Sequence, residues 1–202
     1  MKLYYSPGAC SLSPHIALRE AGLSFDLVLA STKTKKLQDG SDFYAINSKG
    51  SVPVLELDNG ERLTEGPAIV QYIADQVPAK NLAPANGTLP RYKLQSWLTF
   101  IGTELHKNFG PLFNPATPQE MKDATKERLA GRFKWVDGEL AGKQFLMGDT
   151  FSVADGYLFT VTNWTKPTGV DISGFANIQA FRERVGARPA VQAAMKAEGL
   201  LG

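Results

Sequence analysis

Val54-Leu55-Glu56-Leu57-Asp58-Asn59-Gly60-Glu61-Arg62-Leu63-Thr64-Glu65-Gly66-Pro67-Ala68-Ile69 is the stretch that decides the fold. Two short strand candidates, 54–57 and 62–64, flank Asp58-Asn59-Gly60-Glu61, and an Asn-Gly pair between such segments suits a tight hairpin turn. They predict two antiparallel strands. Residues 66–77 then read as a helix, with Ile69, Ile73 and Val77 at spacings of four and Pro67 in the first turn.

Upstream, residues 3–5 read as a strand broken by Ser6-Pro7-Gly8. Residues 11–21 follow as a helix. Ser11 or Ser13 is its expected N-cap, Pro14 fits its first turn and Gly22 ends it. Residues 25–29 alternate as a strand, and 30–50 are polar and Lys-rich with one short helix near Phe43. A helix between the first two strands implies that they run parallel. The order β-α-β-(α)-β-β-α is therefore a mixed four-stranded sheet in a thioredoxin-like arrangement.

Downstream, Pro78, Pro84, Gly87 and Pro90 mark a linker. No strand candidate follows it. Leu94, Leu98, Ile101 and Leu105 fall at i, i+4, i+7 and i+11, the stripe of a long amphipathic helix. Further helices are expected near 118–140, 153–165, 175–187 and 190–198. The fold class is thus α/β followed by all-α: a thioredoxin-like domain over 1–80, a linker over 81–89 and a helical bundle over 90–202.

Composition narrows the function classes. A net charge of +2 leaves no electrostatic footprint for nucleic acid. No apolar run approaches the ~18 residues of a membrane span. The one cysteine excludes an internal disulfide and suits a reducing compartment. With no signal-peptide pattern, a cytoplasmic chain is expected. P-loop, G-x-G-x-x-G, H-E-x-x-H and G-x-S-x-G motifs are missing, and one Cys with two distant His residues gives no expectation of a metal.

Five places could carry chemistry or fold. Cys10 stands between the first strand and the first helix, where unpaired N–H groups and the helix dipole favour a thiolate and lower the thiol pKa. The alternative is a buried, inert cysteine. In Val52-Pro53, a proline directly before an interior strand is explained by a cis bond that turns the Val52 backbone toward an extended, peptide-like ligand. An ordinary trans proline at a strand start is the other reading. At Glu65-Gly66, a helix N-terminus can seat a carboxylate and an acidic side chain can hold an ammonium, the two ends of an α-amino acid. A plain helix cap is the alternative. Thr99, Thr103 and His106 share one stripe of the long helix, and a histidine there can donate to a thiolate or act as an acid or base. A surface histidine is the bland counterpart. Ser152 and Asp155 fit a capping box and are read as structural. His15 is read as a surface or interface residue of the first helix.

Together, Met1-Lys2-Leu3-Tyr4-Tyr5, Gly8-Ala9-Cys10-Ser11-Leu12, Val52-Pro53, Leu63-Thr64-Glu65-Gly66-Pro67-Ala68-Ile69, Glu104-Leu105-His106-Lys107 and Ser152-Val153-Ala154-Asp155 resemble the beta class of bacterial glutathione transferases, over essentially the whole chain. The resemblance implies a homodimer that takes glutathione as co-substrate and a small electrophile or disulfide as its second substrate. It implies Cys10 beside the glutathione sulfur, able to form a mixed disulfide. Val52, before a cis Pro53, would pair with the cysteinyl part. Glu65 and Gly66 would hold the γ-glutamyl end, and Lys35 the glycyl carboxylate. His106, Thr103 and Glu104 would line the site from the helical domain. Thr99 departs from the Asn frequent in the family and offers a shorter reach with one donor. Conjugation favours Cys10 as a neutral donor, whereas disulfide exchange, and with it peroxidase or dehalogenase side activities, favours it as nucleophile. A non-catalytic glutathione- or hydrophobic-ligand-binding regulator on the same fold is the alternative function.

Overall fold

The computed structural model describes residues 1–201. Four strands, β1 (Lys2–Tyr5), β2 (Asp26–Leu29), β3 (Val54–Glu56) and β4 (Arg62–Thr64), form one sheet in the order β2-β1-β3-β4. β1 and β2 are parallel, while β3 runs antiparallel to both β1 and β4, as the connections required. The hairpin turn closes through Gly60 at φ 85°, a conformation that glycine adopts without steric cost.

Alternation splits the sheet into two faces. Leu3 pairs with Leu55 and both enter the main core beneath α1 (Leu12–Ala21) and α2 (Gly66–Gln76). Tyr4 pairs with Val54 and both turn the other way, where Phe43 and Ala30 cover them. Phe43 is fully buried from the expected short helical turn, Phe43–Ala45. Burial of such a side chain contributes roughly 1.5–3 kcal/mol.

Gly22 terminates α1 with φ 70°, and its N–H caps the carbonyls of Arg19 and Leu18. The expected serine cap does not form. Ser11 lies in helical geometry and its hydroxyl bonds both backbone groups of Ser6, because the turn before the helix folds back within its reach.

Beyond Thr88, which caps the helix through its side-chain oxygen, the chain is helical. α3 (Leu89–Phe100) continues through a π turn, Ile101–Leu105, and a 3-10 turn, His106–Phe109, into the short α4 (Gly110–Phe113). Leu94, Leu98, Ile101 and Leu105 are all buried, so the expected stripe holds, but the helix leaves α geometry where it passes the sheet domain. α5 (Gln119–Glu139), α6 (Val153–Thr162), α7 (Thr165–Thr168), α8 (Ala176–Gly186) and α9 (Pro189–Ala197) complete the bundle.

α6 is buried along its whole length. Gly156 lets it approach α1, since a Cβ there would lie 3.4 Å from Ile16 Cγ2. Asp155 accepts from the backbone N–H and hydroxyl of Ser152 and from the N–H of Leu146, each at 2.8 Å. Arg91, 3% exposed, clamps α3 to α2 through a two-pronged pair with Asp75 at 2.7 and 2.8 Å, and donates to the Pro84 carbonyl. No helix is long and apolar enough to cross a membrane among the described residues.

Candidate active site

A cavity of about 460 Å³ opens along the seam between the sheet and the helices. Its walls bring together Cys10, Val52, Pro53, Glu65, Gly66, Thr99, Thr103 and His106, eight of the ten residues singled out from the sequence as site residues. The other two lie outside it. Lys35, at φ 58°, donates its ammonium to the Gly50 carbonyl at 2.8 Å. Glu104 pairs with Arg132 on α5 at 2.8 Å.

Cys10 sits in the turn before α1. Its Sγ–H donates to the Val52 carbonyl at 3.2 Å. Burial pushes the thiol up to about 12, outweighing the N–H groups of Cys10 and Ser11 that favour the thiolate, and Glu65 adds to the rise. The lowered pKa expected from the helix N-terminus is therefore corrected. Desolvation in the cavity wall outweighs the dipole, and the cysteine is a neutral donor in this state.

Both backbone groups of Gly8 are gripped by the helical domain. Its N–H donates to Glu198 at 2.9 Å and its carbonyl accepts from Trp164 Nε1 at 2.8 Å. Glu198 also meets Nδ1 of His15 at 2.8 Å, with both side chains wholly buried. Of the two readings of His15, surface and interface, the surface one is thus wrong and the interface one holds, since α1 meets the helical domain there. Its partner lies 183 residues away, where no local pattern reaches.

The Val52-Pro53 bond is cis. Glu65 stands at φ 67°, ψ 110°, an uncommon conformation for a residue with a Cβ and one that clusters at binding sites. Its carbonyl accepts from the N–H groups of Ala68 and Ile69, each at 3.0 Å, and Pro67 has no N–H, so Gly66 carries the first N–H of α2. The Glu65 carboxylate contacts Lys49, whose ammonium also reaches Thr64 Oγ1 at 2.9 Å. Thr103 donates its hydroxyl to the Thr99 carbonyl at 3.0 Å.

His106 projects into the cavity from the end of the π turn. Its Nδ1 is 2.6 Å from the Tyr157 hydroxyl, and Trp164 meets its ring edge to face at 4.8 Å. Burial lowers its pKa against the opposing field of Glu65. Sequence reasoning missed Tyr157, Lys49 and Lys107, which also line the cavity. Tyr157 lies in an apolar helix and reads as core; the signal was its hydroxyl, which needs a partner when buried.

The site can hold an extended peptide-like molecule with a carboxylate and an ammonium at one end, and place its middle against a neutral thiol. Over residues 1–75 the chain matches the family described as glutathione S-transferase, N-terminal domain, and over residues 100–189 the one described as glutathione S-transferase, C-terminal domain. It is 46% identical over 200 residues to glutathione S-transferase GstA of Escherichia coli O157:H7, covering 99% of this chain and 100% of that one. The chain belongs to the glutathione S-transferase family. The structure of a sphingomonad glutathione S-transferase complexed with glutathione superposes with a TM-score of 0.96 at 50% identity, covering 99% of this chain and 100% of that one. A beta-class glutathione S-transferase of Sphingomonas chungbukensis gives 0.97 at 50% identity, with both chains covered in full. Within the glutathione S-transferases the chain sits with the bacterial beta class. Among the described residues of this transferase, no group of three or more His, Cys, Asp or Glu side chains is placed to hold a metal ion.

Proposed function

We propose that the protein transfers glutathione to small electrophiles, with Cys10 serving as a neutral hydrogen-bond donor to the glutathione thiolate. The observation that carries this reading is the cavity that joins Cys10, the Val52 backbone, Glu65 with the α2 N-terminus, and His106. The glutathione carried by the sphingomonad relative supports the same ligand here.

In this reading Val52 pairs its backbone with the cysteinyl unit. The Gly66 N–H at the start of α2 takes the γ-glutamyl carboxylate, and Glu65 its ammonium. Thr99 and Thr103 flank that end from the helical wall. Lys35 reaches the glycyl carboxylate by releasing the Gly50 carbonyl, and Glu104 joins the site by releasing Arg132. The thiol proton leaves to water. The thiolate, held by His106 and by the Cys10 Sγ–H once that leaves the Val52 carbonyl, attacks an electrophilic carbon as the leaving group departs, so a C–S bond replaces the bond to that group. Residues 1–80 supply the glutathione site, 81–89 the linker, and 90–202 the wall for the second substrate. The raised Cys10 pKa favours conjugation over exchange, which needs a Cys10 thiolate. The protein acts as a cytoplasmic homodimer.

The test is steady-state conjugation of glutathione to a generic aryl halide, paired with intact-mass analysis after oxidised glutathione, for wild type and Cys10→Ala. Turnover in the wild type with little Cys10 adduct supports the reading. A fast, reducible adduct without conjugation makes the chain a thiol-exchange protein, and neither signal makes it a binding protein.

A further inference from the structure

Tyr157 lies on α6 among wholly buried residues, yet its hydroxyl emerges in the cavity wall. The hydroxyl is 2.6 Å from Nδ1 of His106, its one hydrogen bond among the described residues. The two rings meet edge to face with centroids 5.8 Å apart. Trp164 packs against the imidazole at 4.8 Å.

Chemistry orients this pair. Burial holds the His106 pKa below its ordinary value, so the ring is neutral near pH 7. Burial, with Cys10 and Glu65 nearby, holds the Tyr157 phenol above its own, so it keeps its proton. A neutral imidazole has one acceptor nitrogen and one donor. A phenol is the better donor of the two groups, and the imidazole nitrogen the better acceptor.

We infer that Tyr157 is a positioning residue for His106: its O–H donates to Nδ1, which fixes the ring proton on Nε2 and presents that N–H to the sulfur of a bound glutathione thiolate. This assignment rests on the transferase reading above. Without the phenol, Nδ1 is free to carry the proton, and a His106 with its proton there offers the sulfur a lone pair instead of a donor. The other titratable or charged groups around the cavity are Cys10 before α1, Glu65 at the start of α2, Lys49 across from it and Lys107 beside the histidine. None of them makes a hydrogen bond to Nδ1 or Nε2 in this structure, so the tautomer is set by Tyr157 alone among the described residues.

Two measurements test this. The first is ¹⁵N NMR of the histidine side chains in the wild-type protein, with His106→Gln to separate the signals of the two histidines. The proton is expected on Nε2 of His106, and a proton on Nδ1 overturns the assignment. The second follows the ultraviolet thiolate absorbance of bound glutathione against pH, with aryl halide kinetics, in wild type, Tyr157→Phe, His106→Phe and the double variant.

Tyr157→Phe is expected to raise the bound thiol pKa by about 0.5–1 unit and lower kcat about three- to tenfold, with KM for glutathione within about twofold. In the His106→Phe background the same change is expected to move neither quantity. Equal effects in the two backgrounds, or an unmoved thiolate titration in Tyr157→Phe, overturn the Tyr157 role and leave the transferase reading standing. No thiolate band in the wild type overturns that reading and the Tyr157 role with it. Should Tyr157→Phe fail to fold, the wild-type tautomer decides.

Discussion

The indole N–H of Trp164 donates to the carbonyl of Gly8 at 2.8 Å, so the helical domain holds the backbone two residues before Cys10. The same indole lies edge to face with His106 and with Phe109 and Phe113. One side chain therefore fixes the spacing of Cys10 and His106 across the cavity, the two groups proposed to face the glutathione sulfur. Trp164→Phe keeps an aromatic ring but removes the donor and part of the packing. It is expected to cost about 2 kcal/mol in urea unfolding. The expected fall in aryl halide turnover exceeds that in glutathione affinity, because the loss is one of geometry at the sulfur. A lower Tm with unchanged kcat would reduce Trp164 to a packing residue.

Cys10 provides the second prediction. A thiol at about 12 in place of the ordinary value holds about a thousandfold less thiolate at neutral pH. Carboxamidomethylation of Cys10 in the ligand-free protein, followed by intact mass, is expected to lag a free thiol by a comparable factor. The rate should keep rising about tenfold per pH unit past pH 9, where an ordinary thiol levels off. A plateau near pH 7 would show a stabilised thiolate and turn the mechanism toward exchange.

These two cases show where the sequence was legible. The hairpin at Asn59-Gly60, the period-four helices and the Pro-rich break before Thr88 are local signals, and each element appears within a few residues of its expected place. Cys10, Val52, Glu65 and His106 converge because each sits at an element end that the fold gathers at one seam. What stayed hidden depends on distant partners. His15 is buried because Glu198 returns from the far end of the chain to meet it. The dipole argument for Cys10 was sound locally and was overruled by desolvation in a half-buried cavity wall to which both domains contribute. The π turn was invisible because Leu98, Ile101 and Leu105 satisfy α-helical spacing equally well.

Arg91 offers a test of how the two halves of the chain are joined. Its guanidinium is buried, paired with Asp75 by two bonds and bonded to the Pro84 carbonyl. Arg91 holds the Asp75 carboxyl below its usual value through those hydrogen bonds. Removal of the cation leaves the Pro84 carbonyl without its partner and the carboxylate with only the Asn86 amide, at 3.3 Å. Asp75 is 35% exposed, so water screens the pair and compensates the stranded carboxylate in part; Arg91→Ala is expected to cost about 1–2 kcal/mol in urea unfolding near pH 7. Because the folded-state pKa of Asp75 is depressed, the pair stabilises above the ordinary carboxylate range and loses that effect as pH falls through it. The gap between wild type and Arg91→Ala should therefore narrow in acid. A gap that is constant from pH 7 to pH 3 would assign the loss to packing of the arginine stem.

Asp155 should show the opposite sign. It is fully buried, and burial pushes its carboxyl up to about 6 despite the N–H groups of Leu146 and Ser152 and the Ser152 hydroxyl that favour the anion. The folded protein thus binds this proton more tightly than the unfolded chain, whose carboxyl titrates near 3.8. Between those two values the folded state carries the extra proton, so stability falls as pH rises through the window and is flat on either side. The full difference amounts to about 3 kcal/mol. Asn at this position cannot ionise, though it gives up part of the carboxylate's accepting capacity toward Ser152 and Leu146. Urea unfolding of wild type and Asp155→Asn at pH 4 and pH 7 isolates the effect, because the other carboxylates titrate alike in both proteins. Because pH 4 already lies just inside the window, the wild type is expected to lose somewhat less than that full difference, about 2 kcal/mol relative to the variant, between those two pH values. A wild type that gains on the variant as pH rises would mean that the three hydrogen bonds to the carboxylate outweigh its desolvation, and that the capping box is strongest with Asp155 ionised.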